Sequence, residues 1–125
     1  MTALVVDDSR SMRAILSKQL RELGFVVEEA QSGQEALARL HVNGAIDLVL
    51  LDWNMPEMDG CEVLSLIRSE PKYKQVRVMM VTTESEMSHV AVALEAGANE
   101  YLMKPFDRES LLEKLVLLGM DPAGR

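Results

Sequence analysis

A run of four apolar residues, Leu48–Leu51, ends in a single carboxylate, Asp52, and a loop containing Pro56 follows. Such a run, with no polar residue, is typical of a strand that is buried on both faces of a sheet. An unpaired charge is costly inside a sheet, so we expect Asp52 just past the carboxyl end of the strand, at the rim. In open α/β sheets, ligands bind at this rim. The run therefore predicts an α/β fold and a functional position for Asp52.

Apolar runs and helical patterns alternate along the rest of the chain. Between the runs, apolar residues recur with the spacing of amphipathic helices. These helices have start and stop signals: Ser32–Glu35 has the pattern of a capping box, Asp59 and Asp107 are caps, and Gly24 and Gly97 follow helix ends. The predicted strands are Ala3–Val6, Phe25–Val27, Leu48–Leu51, Val78–Val81 and Tyr101–Met103.

The short connections between these segments predict an α/β fold built on one doubly wound, five-stranded parallel sheet with five helices. Short crossovers of this kind are right-handed and join parallel strands. The apolar spacing also predicts which helical residues face the core. In the fourth helix they are Met87, Val90, Ala91 and Leu94, with Val92 exposed, and in the fifth they are Leu111, Leu112, Leu115 and Leu118.

Length and composition indicate one globular domain. The chain has 125 residues, of which 48% are hydrophobic and 26% are charged, and these values are ordinary for a soluble domain. We expect the domain to span residues 1–119 and a short polar tail to span residues 120–125, with no output domain. The single cysteine, Cys61, cannot form an internal disulfide bond.

Charge and hydropathy exclude several classes of protein. The net charge is −7, with 20 acidic and 13 basic residues, whereas direct binding to nucleic acid requires a basic patch. No apolar run approaches the roughly 18 residues of a membrane span. The N-terminus has no basic segment and reaches Asp7 and Asp8 early, unlike a signal peptide. We therefore expect a cytoplasmic protein with no nucleic-acid or membrane partner.

Polar residues stand at the carboxyl ends of four predicted strands. They are Asp7 and Asp8 after the first strand, Asp52 after the third, Thr82 and Thr83 after the fourth, and Lys104 after the fifth. In a parallel sheet these ends share one edge, so the side chains converge there. Each one alone has an ordinary explanation as a helix cap, a strand-end hydroxyl or a surface lysine. Their convergence is what predicts a site.

The residue types at this edge point to phosphoryl chemistry. Three neighbouring carboxylates repel each other, and a hard divalent cation such as Mg²⁺ relieves that repulsion at neutral pH. The same cation neutralises an incoming phosphoryl group. Asp52 can then act as a nucleophile toward phosphorus, while Lys104 and Thr82 contact phosphoryl oxygens.

Four segments of the chain resemble the receiver domain of two-component response regulators. The resemblance covers nearly the whole chain and is greatest to the stand-alone chemotaxis regulators of that family. It implies a flavodoxin-like sheet with the strand order 2-1-3-4-5. The segments are Val6–Arg10, Leu51–Gly60, Met80–Thr82 and Ala96–Phe106.

The resemblance also implies what individual residues do. Asp52 matches the phosphoacceptor, and Lys104 matches the invariant lysine of the family. Thr82 matches the switch hydroxyl, and Tyr101 matches the aromatic residue whose rotamer follows the switch. The peptide bond between Lys104 and Pro105 is expected to be cis, an isomer that costs little before proline.

Two further implications concern the metal ion and the lifetime of the phosphoryl group. Mg²⁺ is expected to be bound by Asp7, Asp8, Asp52 and the main-chain carbonyl of Asn54. Asn54 and Glu84 match the positions that tune attack by water on the phosphorylated aspartate. Both are polar, which predicts a phosphoryl group that is lost quickly.

The resemblance thus implies a signalling module rather than an enzyme that acts on other substrates. It would catalyse its own phosphorylation on Asp52 from a histidine kinase, and its own slow dephosphorylation. Phosphorylation would change binding to a target such as a flagellar motor switch protein, through the face formed by helix 4, strand 5 and helix 5. A phosphatase is a further expected partner.

Three alternatives remain open at this point. A phosphorelay intermediate would pass the phosphoryl group onward to a histidine phosphotransfer protein. An aspartate-nucleophile phosphatase typically has a second aspartate two residues after the nucleophile, where this chain has Asn54. A flavodoxin-like cofactor binder needs a phosphate-cradling loop after the first strand, where Asp7 and Asp8 would repel a phosphate.

Overall fold

The computed structural model describes residues 1–120. Five parallel strands form one sheet in the order β2-β1-β3-β4-β5. The doubly wound α/β fold predicted from the sequence is therefore confirmed, together with the strand order that the family resemblance implied. The strands are β1 (Thr2–Val6), β2 (Val26–Ala30), β3 (Leu48–Asp52), β4 (Arg77–Thr83) and β5 (Glu100–Lys104).

Five α-helices connect and cover the strands. Ser9, Ser32, Asp59 and Asp107 begin four of them, and each side chain accepts a hydrogen bond from the backbone N–H three residues later. Within residues 1–120, no helix combines the length and apolar character needed to span a membrane. The helices are α1 (Arg10–Glu22), α2 (Gly33–Val42), α3 (Gly60–Ser69), α4 (Val90–Glu95) and α5 (Arg108–Leu117), with 3₁₀ turns at Pro71–Tyr73 and Glu84–His89.

The sheet separates two hydrophobic cores, because successive residues of a strand point to opposite faces. In β3, Val49 and Leu51 pack toward α2, α3 and α4, whereas Leu48 and Leu50 pack toward α1 and α5. All four side chains are fully buried. This confirms that the apolar run forms a strand covered on both faces, and it places the carboxyl end of β3 in the middle of the sheet edge.

The prediction for the fourth helix was wrong for two of its four core-facing residues, because Met87 and Val90 are half-buried but the other two are not. The segment begins as a 3₁₀ helix, Glu84–His89, and becomes α4 only afterwards. A 3₁₀ helix has fewer residues per turn than an α-helix, so it shifts the phase of the residues that follow. Ala93 is therefore the residue of α4 that is buried, while Ala91 and Leu94 are exposed. Val92 is exposed, as predicted.

The second strand is longer than predicted. The apolar pattern indicated Phe25–Val27, but β2 extends further because it pairs with the whole of β1. Glu28 and Glu29 are accommodated since β2 lies at the edge of the sheet, where arginines of the neighbouring helices reach them. The distance from Arg13 to Glu29 is 3.5 Å, and that from Arg39 to Glu28 is 3.8 Å.

The C-terminal part of the domain also differs from the prediction. Leu111 and Leu115 of α5 are buried, but Leu112 and Leu118 are only partly buried, because α5 covers the sheet with a narrow stripe. Met120 was predicted to belong to the tail, yet it is buried and packs in the same core as Leu115. The rest of the predicted tail, residues 121–125, lies outside the described residues.

Candidate functional site

Asp52 is the last residue of β3, and it is only 6% exposed. The loop after it is tied to the sheet and to α3 by two backbone hydrogen bonds. The Trp53 N–H donates to the Val81 carbonyl at 3.1 Å, and the Gly60 N–H donates to the Trp53 carbonyl at 3.0 Å. The sequence placed Asp52 just beyond the strand, whereas its backbone still pairs with β4. The Asp52 carboxylate is therefore held at the carboxyl edge of the sheet.

Two further carboxylates lie beside Asp52. Asp7 follows β1 and is buried, whereas the next residue, Asp8, is exposed. Oxygen atoms from the three side chains all lie within 4.8 Å of one another, a grouping that we call the acidic cluster. Asp7 is oriented by the Ser9 backbone N–H, which donates to Asp7 Oδ1 at 2.8 Å. The structure thus brings together the three aspartates that the sequence predicted to converge.

Lys104 is the basic residue of the site. Its Nζ lies 3.2 Å from Asp52 Oδ1 and 3.5 Å from Asp7 Oδ2. The Lys104–Pro105 peptide bond is cis, the isomer that the family resemblance implied. Among the described residues, Lys104 is the only cation that forms an ion pair with the acidic cluster, so its three carboxylates outnumber the paired positive charge.

Burial and the neighbouring charges change the pKa values of both Asp52 and Lys104. Burial raises the pKa of Asp52 to about 6, and the neighbouring Asp7 and Asp8 carboxylates act in the same direction, against the opposing effect of Lys104. Burial disfavours the charged form of Lys104, but the Asp52 and Asp7 carboxylates outweigh it and raise the Lys104 pKa. Protein groups therefore compensate the charged form of Asp52 only in part.

One buried oxygen, Asp7 Oδ2, indicates what could compensate the remaining negative charge of the acidic cluster. Among the described residues, Asp7 Oδ2 has no hydrogen-bond partner, and the Lys104 ammonium at 3.5 Å makes an ionic contact with it. An unsatisfied buried carboxylate oxygen is costly. Hard oxygen ligands with excess negative charge are the set that Mg²⁺ prefers. The acidic cluster therefore fits a hard divalent cation.

The two threonines at the end of β4 are in different situations. Thr82 is buried, and its hydroxyl donates to the Thr83 carbonyl at 3.3 Å. It makes no hydrogen bond to Asp52 or Lys104. The Thr83 hydroxyl, by contrast, donates to Glu86 Oε1 at 2.9 Å and forms part of the cap of the 3₁₀ helix. Within the described part of the chain, the Thr82 hydroxyl therefore has a single local hydrogen bond, whereas Thr83 belongs to a helix cap.

Tyr101 lies on β5, half-buried, and lines a narrow groove together with Thr82 and Trp53. The Lys114 ammonium stands 4.0 Å from the centroid of the tyrosine ring. The same ammonium pairs with Glu100 Oε1 at 3.2 Å. The structure thus places the two residues that resemble the family's switch pair along one groove.

Asn54 and Glu84 lie in the segments that follow β3 and β4. Both are exposed, and neither side chain hydrogen-bonds Asp52 or Lys104 within the described residues. Their placement is therefore known from the two strand ends that they follow and not from a contact with the acidic cluster.

Sequence reasoning identified Asp59 as a helix cap but missed the tight packing at the next residue, Gly60. A Cβ atom at Gly60 would lie 2.4 Å from the Asp52 carbonyl oxygen and 3.1 Å from Trp53 Cα. Only glycine lets the start of α3 come this close to Asp52 and Trp53 without displacing their backbone. The sequence feature that could have indicated this packing is a glycine directly after the cap residue Asp59, in the loop that follows β3.

Comparisons with known proteins agree with this geometry. A family model described as the response regulator receiver domain matches residues 3–116. The chain belongs to the response regulator receiver domain family. In this receiver domain the acidic cluster is a set of residues that could bind a metal ion.

Relatives of this receiver domain include chemotaxis proteins. It is 44% identical to chemotaxis protein CheY1 of Helicobacter pylori over 121 residues, which are 95% of this chain and 98% of the relative. It is 46% identical to the CheY homolog of Campylobacter jejuni over 92% of this chain and 89% of the relative. The solved structure of Vibrio cholerae CheY4 superposes with a TM-score of 0.85 at 37% identity, covering 93% of this chain and 96% of that one.

Proposed function

We propose that this receiver domain is a stand-alone response regulator that accepts a phosphoryl group on Asp52 and thereby changes partner binding in chemotaxis. The observation that carries the proposal is the buried Asp52 carboxylate, which belongs to the acidic cluster and contacts the Lys104 ammonium. The names of the Helicobacter and Campylobacter relatives support the chemotaxis setting. The proposed phosphodonor is a histidine kinase.

The transfer exchanges one bond for another. An oxygen of Asp52 attacks the phosphorus of a phosphohistidine, so an O–P bond forms while the N–P bond breaks, and the imidazole leaves with the bonding electrons. Mg²⁺, bound by the acidic cluster and the Asn54 carbonyl, would neutralise charge on the transferring group. Lys104 already contacts the attacking side chain, and it can pair with a phosphoryl oxygen after transfer.

The proposed readout begins at Thr82. Its hydroxyl exchanges the Thr83 carbonyl for a phosphoryl oxygen, and Tyr101 responds because it lines the same groove. The surface that changes is the face of α4, β5 and α5, where Val92, Met103 and Leu117 are exposed. Apolar side chains on this face suit a protein target such as a flagellar motor switch protein.

The phosphoryl group on Asp52 is proposed to be short-lived. Asn54 and Glu84 are polar and exposed at the two strand ends that border the site, so water reaches the acyl phosphate. A phosphatase would shorten the lifetime further. Asn54 also leaves the position two residues after Asp52 without a carboxylic acid, which disfavours a turnover phosphatase.

The proposal is tested by phosphorylation with a small phosphodonor and Mg²⁺, followed by intact-protein mass spectrometry. We expect one added phosphoryl group on the wild type and none on Asp52→Asn. Asp59→Asn is the matched control, because Asp59 is a nearby aspartate that caps α3 outside the acidic cluster. Persistence of the label in Asp52→Asn, or a wild-type label that does not depend on Mg²⁺, would contradict the proposal.

A further inference from the structure

Two aromatic rings join the segments that follow β3 and β4. The ring centroids of Trp53 and His89 are 5.2 Å apart, and the ring planes differ by 8°. This is the geometry of an offset aromatic stack. Trp53 directly follows Asp52, and His89 is the last residue of the 3₁₀ helix before α4. The stack therefore connects the loop of the proposed phosphoacceptor to the start of α4.

The 3₁₀ helix depends on few other attachments. None of its residues, Glu84–His89, is buried. At its first turn, Glu86 accepts hydrogen bonds from the Thr83 N–H at 3.0 Å and from the Thr83 hydroxyl at 2.9 Å. At its last residue, His89 stacks on Trp53. The segment is thus attached at both ends, and between them only Met87 and Glu86 are half-buried.

The Trp53 end of the stack is fixed more firmly than the His89 end. Trp53 is half-buried, and its backbone donates to Val81 and accepts from Gly60. His89 is exposed and precedes a helix whose buried residue is Ala93 alone. Trp53 is therefore the fixed side of the stack, and His89 attaches the 3₁₀ helix to it.

We infer that the His89–Trp53 stack stabilises the unphosphorylated arrangement of the segment between β4 and α4. In the observed arrangement the Thr82 hydroxyl bonds the Thr83 carbonyl and not the Asp52 side chain. Movement of Thr82 toward a phosphoryl group would displace Thr83 and the cap that Thr83 makes with Glu86. The stack opposes this displacement from the other end of the 3₁₀ helix. His89 is then a positioning residue, and the inference rests on the proposed function of Asp52.

The test compares the affinity of beryllofluoride, a phosphoryl analogue, for the wild type and for His89→Ala in the presence of Mg²⁺, by calorimetry. Loss of one aromatic pair is expected to tighten binding by about two- to tenfold. His89→Phe, which keeps a ring for stacking, should bind beryllofluoride as the wild type does. Ser88→Ala changes an exposed neighbour in the same segment and should also leave the affinity unchanged.

Fluorescence supplies an independent readout, because Trp53 is the only tryptophan of the chain. His89→Ala should change its emission without metal or analogue. His41→Ala, which alters the other histidine, should leave the emission unchanged.

Unchanged emission in His89→Ala, or beryllofluoride affinity equal to or weaker than that of the wild type, would overturn the inference alone. A wild type that shows no saturable binding would overturn the proposed function, and the inference with it.

Discussion

Asp52 carries its negative charge at a free-energy cost. It is buried beside Asp7, and the Lys104 ammonium compensates only part of this, so the Asp52 pKa rises to about 6. A carboxyl group whose folded pKa exceeds its unfolded pKa binds its proton more tightly in the native state. The contribution of Asp52 to stability therefore falls as pH rises between about 4 and 6, and the full penalty is present above that range.

The variant Asp52→Asn should consequently be more stable than the wild type at pH 8 when metal is removed by a chelator. A shift of about two pKa units corresponds to roughly 1 to 3 kcal/mol in the free energy of unfolding. The advantage should shrink toward zero as pH falls through 6 toward 4, where the wild-type carboxyl group becomes neutral. Urea denaturation across this pH range measures both features, and a less stable variant at pH 8 would contradict the explanation.

At the scale of elements, Gly60 decides how closely α3 approaches β3. Gly60→Ala places a methyl group 2.4 Å from the Asp52 carbonyl oxygen, which is backbone and cannot rotate away. Overpacking of this kind is expected to lower the free energy of unfolding by about 1 to 3 kcal/mol. It should also slow the proposed phosphorylation of Asp52, because the backbone at the end of β3 must shift.

Gly44→Ala is the matched control for Gly60→Ala. No heavy atom lies within 4 Å of a Cβ built at Gly44. Its stability should stay within about 0.5 kcal/mol of the wild type, as is usual for surface substitutions. Equal effects of the two substitutions on thermal unfolding would show that steric contact at Gly60 is not the cause.

Arg68 links α3 to two distant connections. Its guanidinium donates to the carbonyls of Gly97 and Val76 at 2.8 Å each and to that of Tyr73 at 3.2 Å. It also donates to the Asn99 side chain at 2.8 Å. One side chain thus satisfies backbone groups both in the turn before β4 and in the turn that follows α4.

Arg68→Met should lower the free energy of unfolding by about 2 kcal/mol, because several carbonyls lose a charged donor. Arg39→Met is the control, since Arg39 makes only surface ion pairs and should cost about 0 to 1 kcal/mol. Hydrogen exchange should locate the loss in the turn containing Gly97. Uniform loss of protection across the sheet would argue against this local explanation.

At the scale of the whole molecule, the acidic cluster joins the ends of β1 and β3, so a metal ion bound there would couple its binding to folding. Mg²⁺ at ten times its dissociation constant should raise the free energy of unfolding by about 1.4 kcal/mol. Asp7→Asn should lose most of this increment, because it removes the buried carboxylate whose Oδ2 has no hydrogen-bond partner among the described residues. Asp59→Asn should keep it, and thermal denaturation with and without Mg²⁺ distinguishes the two variants.

The sequence was sufficient to predict a five-stranded parallel sheet and the meeting of Asp7, Asp52 and Lys104 at its edge. A buried parallel strand requires a continuous apolar run, and Leu48–Leu51 supplies one. Parallel strands bring their carboxyl ends to one edge, so Asp7, Asp52 and Lys104 could be expected to meet before any contact was known. Polar residues that cap helices, such as Asp59, can likewise be predicted from the local sequence.

Contacts between segments that are distant in the chain were decided only by the tertiary structure. The 3₁₀ helix before α4 changes which residue faces the core, and pairing with β1 sets the length of β2, so local apolar spacing failed at both. The burial of Met120, the close approach at Gly60 and the stacking of His89 on Trp53 each depend on how two elements pack. Apolar periodicity reports which side of an element is buried, whereas the partner and the distance follow from packing in three dimensions.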